Sequence, residues 1–143
     1  MKILIMGLPG SGKTTLAEKL FNELLKNHHT EWVNADDLRK ETNDWDFSMD
    51  GRRRQALRMR AIADRGIAQN FIMICDFVCP TRELREVFDA DMTIWLDTIP
   101  KSKYSDTNQI FEKPTEEEYD IRIDEFASDK WSEILADLVH MLT

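Results

Sequence analysis

The sequence predicts an α/β fold built on a mostly parallel sheet, and three observations carry that reading. Short apolar runs alternate with longer amphipathic runs of helical period. The most apolar short run, residues 71–78, lacks polar alternation and reads as a central strand buried on both faces. A glycine-rich segment, Gly7-Leu8-Pro9-Gly10-Ser11-Gly12-Lys13-Thr14-Thr15, joins the first strand-like run to the first helical run. The chain has 143 residues and is 42% apolar, which suits a single domain, residues 1–143, with its own core.

Lys2–Met6 is short and apolar, as a buried strand is. Gly7–Gly12 forms a loop, and Lys13–Lys26 a helix with Leu16, Leu20, Phe21 and Leu24 on one face. Trp32-Val33 opens a second strand that ends at Asn34-Ala35-Asp36-Asp37, and residues 43–47 form a loop. Ser48 is the expected N-cap of a long helix to about Arg65, with Gly66 as its C-terminal stop. After the central strand, Thr81–Phe88 is a short helix and Met92–Leu96 a fourth strand. Residues 99–114 read as a polar loop. Ile121 and Ile123 alternate with charged residues, as in a half-exposed strand, and Ser128 is the expected cap of a final helix. The expected sheet therefore has about five strands. In such sheets the ligand crevice lies beyond the carboxyl ends of the strands. Gly7, Asn34, Asp36, Asp76 and Asp97 all fall at such ends.

The net charge of −8 argues against a general nucleic-acid binder, although a local basic site is compatible with it. No signal peptide is expected, because Met1 leads straight into a strand. No apolar stretch approaches the roughly 20 residues of a membrane span. Cys75 and Cys79 would lie about 13 Å apart on a strand, too far for a disulfide. They read as reduced thiols of a cytoplasmic protein. The histidines sit at helix ends and read as surface residues, with no Cys/His cluster of zinc spacing. Trp32, Trp95 and Trp131 read as core.

Gly7, Gly12, Lys13 and Thr14 fill the phosphate-loop pattern G-x-x-x-x-G-K-[ST]. Glycines allow a tight curl that points amide N–H groups at phosphate oxygens, and the following helix adds its N-terminal dipole. Lys13 would reach the β- and γ-phosphates of ATP, and the Thr14 hydroxyl would ligate Mg2+. The motif follows a strand and opens an amphipathic helix, as its mechanism requires. A small kinase suits the chain length better than a switch GTPase or a motor ATPase.

Six arginines, Arg52, Arg53, Arg54, Arg58, Arg60 and Arg65, crowd one helical stretch of an acidic chain. They could clamp a small anionic acceptor through bidentate pairing, or they could be a solvated face paired with local acids. Arg53 and Arg60 are expected at the surface. Asp76, an ionisable residue in an apolar strand, also has two readings: a water-mediated magnesium holder, or a hydrogen-bond partner for a loop near Arg82. Its place at the strand's carboxyl end favours the first. Asp97 reads as a loop cap.

Asn34-Ala35-Asp36-Asp37-Leu38-Arg39 resembles the Asp-Gly-Asp-Asn-Val-Arg segment of adenylylsulfate (APS) kinases. Asp44-Trp45-Asp46-Phe47-Ser48, followed by Arg52, is similar to that family's Asp-Leu-Gly-Phe-Ser…Asp-Arg stretch. Val78-Cys79-Pro80-Thr81-Arg82 resembles its Ile-Ser-Pro-Tyr-Arg, and Phe111-Glu112-Lys113-Pro114 its Tyr-Glu-Pro-Pro. The resemblance implies a three-layer α/β/α fold of the P-loop nucleotide-kinase type. It implies ATP and an APS-like acceptor as partners, and a homodimer is compatible with it. Asp36 would lie near magnesium and the acceptor hydroxyl, as base or metal-site residue. Arg39, Arg52 and Arg58 would hold the acceptor's anionic groups, and Phe47 would pack on its adenine. The sequence departs from the family at Asn34, Gln55, Leu57 and Cys79, which replace Asp, Asn, Arg and Ser. The family's lid over both substrates is cropped here to residues around 99–114, leaving Lys101, Lys103 and Tyr104. Rival readings are a nucleoside, sugar or nucleic-acid hydroxyl as acceptor, a non-catalytic nucleotide-binding module, or an NTP-hydrolysing switch.

Overall fold

The computed structural model describes all residues, Met1–Thr143. In chain order it contains β1 (Lys2–Met6), α1 (Lys13–Leu24), β2 (Thr30–Asn34), α2 (Ala35–Thr42) and α3 (Met49–Ala68). Then follow β3 (Ile72–Asp76), α4 (Arg82–Phe88), β4 (Met92–Leu96), α5 (Ser105–Ile110), β5 (Ile121–Ile123) and α6 (Ser128–Leu142). The strands form one five-stranded sheet in the order β2-β3-β1-β4-β5. Every neighbouring pair is parallel. All carboxyl ends therefore share one edge, which is where the loops with chemistry emerge.

Strand alternation splits the core into two layers. Ile3, Ile5, Ile72, Ile74 and Ile94 face α1 and α6, packing with Leu16, Leu20, Leu135 and Val139. Leu4, Met6, Met73, Cys75 and Trp95 face α3 and α4, packing with Ala56, Met59, Leu84 and Phe88. This is the three-layer α/β/α arrangement expected from the sequence. No helix is long and apolar enough to cross a membrane.

Several local expectations need correction. The second strand ends at Asn34, and Ala35-Asp36-Asp37 already belong to α2, which the Asn34 side chain caps by accepting the Asp37 N–H at 3.0 Å. Residues 99–114 are not all loop, because α5 lies within them. Ser128 is the first residue of α6, with Ala127 in the cap position and no side-chain cap bond. Cys79 lies past the end of β3, with a φ of 47°. Ser48 does cap α3, accepting the Gly51 N–H at 3.1 Å. Gly66 does not stop that helix. It is buried inside α3, where a Cβ would stand 2.1 Å from the Met73 sulfur. The glycine is there for close approach of helix to sheet.

Two predictions follow from this packing. On an exposed helix Gly→Ala would gain about 1 kcal/mol of propensity. Here Gly66→Ala should destabilise by roughly 1–3 kcal/mol through overpacking, read by denaturant unfolding. The second concerns Lys2, whose buried ammonium donates to Asp64 at 2.9 Å. That hydrogen bond holds the Asp64 carboxyl below the usual carboxylate range, against its partial burial. A lowered native value contributes stability that is full above about pH 4 and lost as pH falls through the native value. Asp64→Asn should therefore flatten the acid limb of a stability–pH profile and lower stability at neutral pH.

Candidate active site

A cavity of about 1390 Å³ opens beyond the carboxyl ends of the strands. Pro9, Gly10, Ser11, Gly12, Lys13, Thr14 and Thr15 form one of its walls. Gly7 and Leu8 are buried behind them. Gly12 occupies the cap position of α1 with a φ of 100°, a left-handed conformation that turns the loop into the helix. The half-buried Lys13 ammonium donates to the Leu8 carbonyl at 3.1 Å. Burial pushes its pKa down to about 8, opposed by the negative charges of Asp76 and Asp36. A cation held this way favours an anion placed beside it.

Across from Lys13 the second and third strands end in a polar chain. Asn34 and Asp76 are register partners on β2 and β3. The Asn34 amide donates to both Asp76 oxygens, at 3.1 and 3.2 Å, and to the Thr14 hydroxyl at 3.3 Å. The Trp32 indole N–H donates to Asp76 at 2.6 Å. Burial pushes the Asp76 carboxyl above its ordinary range, while these donors and Lys13 pull it back. Asp76 thus faces the phosphate loop and not the loop near Arg82, whose side chain pairs with Glu86. Asp36 stands exposed on the cavity wall in the first turn of α2.

These oxygens suit magnesium, which usually takes one or two protein ligands and completes its shell with water and phosphate oxygens. Thr14, Asp36 and Asp76 line the same cavity. No group of three or more His, Cys, Asp or Glu side chains forms an all-protein cage.

The arginines sort into two groups. Arg39 and Arg52 are buried, line the cavity and stand over the Phe47 ring, 4.3 and 5.3 Å from its centroid. Their hydrogen bonds go to neutral acceptors. Arg39 donates to the carbonyls of Asp44 and Asp46. Arg52 donates to the Phe47 carbonyl and the Thr107 hydroxyl, with Asp106 no nearer than 3.9 Å. Burial lowers both guanidinium pKa values. Neither donates a hydrogen bond to a carboxylate, and the nearest ion-pair partner of Arg52 is the exposed Asp106 at 3.9 Å. Arg58, in contrast, is not on the cavity wall. It pairs with Asp44 at 2.8 Å and bonds Gln55. Arg54 joins it on Asp44 and also reaches Asp46. Arg53 pairs with Glu83, and Arg60 with Asp64. Of the arginines expected at the acceptor, Arg58 is thus the one whose guanidinium pairs with a carboxylate, Asp44, in this structure.

The far wall carries Lys101, Lys103, Tyr104, Asp106 and Thr107 from the segment around α5. Asp97 is not a loop cap, because its carboxylate takes Arg122 at 2.7 Å and ties the end of β4 to β5. Trp95 is core, as expected. Trp32 and Trp131 are partly buried and pack against the core layer of α1 and α6, and each also reaches toward the site, Trp32 through its bond to Asp76. Trp131 lines the cavity, and its indole N–H is buried without a partner. Sequence reading missed the indole of Trp32. The available signal was period 2 along β2, which puts Trp32 and Asn34 on one face.

A family profile described as adenylylsulphate kinase matches residues 1–118. No curated protein sequence matches the chain significantly. Among solved structures, the APS kinase of Mycobacterium tuberculosis, in complex with AMPPNP and APS, is similar with a TM-score of 0.83 and 22% identity, over 97% of each chain. A sugar kinase from Janibacter sp. HTCC2649 is similar at 0.76 and 16% identity, over 96% of this chain and 93% of its own. A gluconokinase from Sinorhizobium meliloti 1021 is similar at 0.64 and 15% identity, over 99% and 97%. Such distant likenesses show a shared fold. From the family match over most of its length, together with the phosphate loop and the cavity it lines, the chain belongs to the adenylylsulfate kinase family of P-loop phosphotransferases.

Proposed function

We propose that the protein transfers the γ-phosphoryl group of ATP to a hydroxyl of APS or a closely similar anionic nucleotide. One observation carries this reading. The same cavity has a phosphate loop on one wall and, on another, two buried guanidinium groups, Arg39 and Arg52, whose hydrogen bonds go to neutral oxygens. Asp36 stands between them in the chain and lines the cavity they share. The M. tuberculosis relative in complex with AMPPNP and APS supports the same pair of ligands.

In this reaction the acceptor oxygen forms a bond to phosphorus as the bond to the ADP leaving oxygen breaks. The proton of the acceptor hydroxyl goes to Asp36, in the general-base role. Phosphoryl transfer is mostly positioning and charge neutralisation, so the protein's part is electrostatic. Backbone N–H groups of the phosphate loop, all but Pro9, and the Lys13 ammonium hold the β- and γ-phosphates. Arg39 and Arg52 orient the acceptor's anionic groups, and Phe47 lies between them. Magnesium, held by Thr14 with Asp36 and Asp76, would supply charge neutralisation on the phosphates when bound. Gluconate and other sugar acids are the alternative acceptor class, given the sugar kinases among similar folds.

The decisive experiment measures ATP turnover against APS, gluconate, nucleosides and 5′-hydroxyl oligonucleotides. Turnover with APS and not with the others is expected; turnover confined to a sugar acid, or ATP hydrolysis indifferent to acceptor, would overturn the reading. Lys13→Ala should nearly abolish transfer with the fold intact. Asp36→Asn should lower kcat roughly 10²-fold or more and change ATP affinity far less. A collapse of ATP affinity instead would make Asp36 chiefly a metal-site residue.

The arginine sorting gives a further expectation. Arg52→Ala should raise KM for the acceptor roughly 10- to 150-fold, the range for losing a hydrogen bond to a charged group, and leave KM for ATP nearly unchanged. Arg58→Ala should do much less, and Arg53→Ala nothing measurable. Steady-state kinetics with each substrate varied in turn separates these outcomes.

A further inference from the structure

Trp32 lies on β2, an edge strand of the sheet, yet it is tied to a carboxylate on the cavity wall. The register places Trp32 beside Ile74 and Asn34 beside Asp76. The indole reaches past its own register partner and donates its N–H to Asp76 Oδ2 at 2.6 Å. The ring that carries this donor is seated: it packs against the core layer of α1 and α6, with the Phe21 ring centroid 6.3 Å away. An indole nitrogen only donates, and a tryptophan side chain turns about just two torsions, so packing the ring fixes the N–H in space.

The Asp76 carboxylate is buried, and its hydrogen bonds come from β2 alone, from Trp32 and the Asn34 amide. Asn34 cannot fix it unaided. Its two amide hydrogens are shared among three acceptors, both Asp76 oxygens and the Thr14 hydroxyl, at 3.1, 3.2 and 3.3 Å. Thr14 is itself a cation ligand in the reading above, so that contact changes when the site fills. The Trp32 N–H has a single acceptor and no bond to the phosphate loop. The residue at position 34 matters as well. A second carboxylate there would stand in register beside Asp76 and repel it, where the amide donates.

We propose that Trp32 is a positioning residue for the magnesium end of the site: its indole N–H fixes Oδ2 of Asp76 and leaves Oδ1, whose only donor is the shared Asn34 amide, free to face the hydrated cation. This rests on the reading that Thr14, Asp36 and Asp76 hold magnesium, and deepens it. Carboxylates that serve a metal are oriented by outer hydrogen bonds of this kind, and losing one costs roughly 10- to 100-fold in metal affinity or activity. Trp32 thus acts on the nucleotide's phosphates through a neighbouring strand, without touching them.

The test measures calorimetric affinity for AMPPNP with Mg2+ and for AMPPNP in EDTA, with no acceptor present. It compares the unaltered protein with Trp32→Phe, Asp76→Asn and the double variant, with melting temperature as a check on folding. Trp32→Phe keeps an aromatic ring in the packed position and removes the N–H. It should weaken binding of the magnesium complex roughly 10- to 100-fold and leave metal-free AMPPNP nearly unchanged. A packing defect would weaken both alike. Asp76→Asn should show the same split. The double variant should bind no more weakly than Asp76→Asn, because Trp32 acts only through that carboxylate. Equal losses with and without Mg2+, no loss in Trp32→Phe, or additive losses in the double variant would overturn the proposal. A second readout leaves Trp32 in place. In a nitrogen–proton correlation spectrum, the indole N–H signal that Asp76→Asn displaces should also move when Mg2+ is added to the AMPPNP complex. A signal indifferent to Mg2+ would overturn the proposal as well. If Asp76→Asn binds the magnesium complex as the unaltered protein does, the magnesium reading of Asp76 falls and takes this role with it. If the expected splits appear and APS is not phosphorylated, the role of Trp32 stands and the proposed acceptor falls.

Discussion

A parallel sheet covered on both faces by helices has only its strand ends available for polar chemistry, and the architecture follows from that constraint. Polar groups inside the layers would be left without partners. The central strand β3 accordingly stays apolar until its last residue, Asp76, which lies in register beside Asn34, the last residue of β2. Because all five strands run the same way, those last residues meet the phosphate loop at one edge. The Asn34 amide then serves three structural ends at once. It bridges Asp76 to Thr14, while its oxygen caps α2 and so sets where Asp36 and Arg39 emerge.

Charge in the cavity is organised by what each cation already holds. Arg53, Arg54, Arg58 and Arg60 have carboxylate partners and contribute little net field. Arg39 and Arg52 are buried on neutral oxygens, and Lys13 rests on a carbonyl. A buried guanidinium whose hydrogen bonds go to neutral oxygens keeps much of its attraction for an oxyanion, with the exposed Asp106 at 3.9 Å as the ion-pair partner of Arg52. An acidic protein can therefore present a strongly anion-seeking cavity without a basic surface.

Most of the fold was legible in the sequence because the dominant signals were local. The alternation of short apolar runs and amphipathic runs located the five strands, and the phosphate-loop pattern located the nucleotide wall. What escaped was decided by long-range partners. Gly66 reads as a helix stop on propensity alone, yet the Met73 side chain, on the strand beneath, fills the space its Cβ would take. The six-residue α5 has no strong periodicity and is fixed by the contact of Thr107 with Arg52. The arginine stretch was visible, but which arginines face the cavity was not. Arg54 and Arg58 lie one turn apart, and it is Asp44, on a separate loop, that takes up their charge. Likewise Trp32 reads as core until the carboxylate of Asp76, 44 positions on, is seen to accept its indole proton.

The tight seat of Gly66 on Met73 has a mechanical consequence. Helix α3 is a 20-residue rod that carries Arg52 and Gln55 near one end and Gly66 near the other. At 1.5 Å per residue, Arg52 and Gly66 are separated by roughly 21 Å along the axis. A tilt of about 5° pivoting at the glycine end would displace Arg52 by about 2 Å, more than a hydrogen bond tolerates. The bare backbone at Gly66 is thus the bearing on which the far end of the lever is aimed.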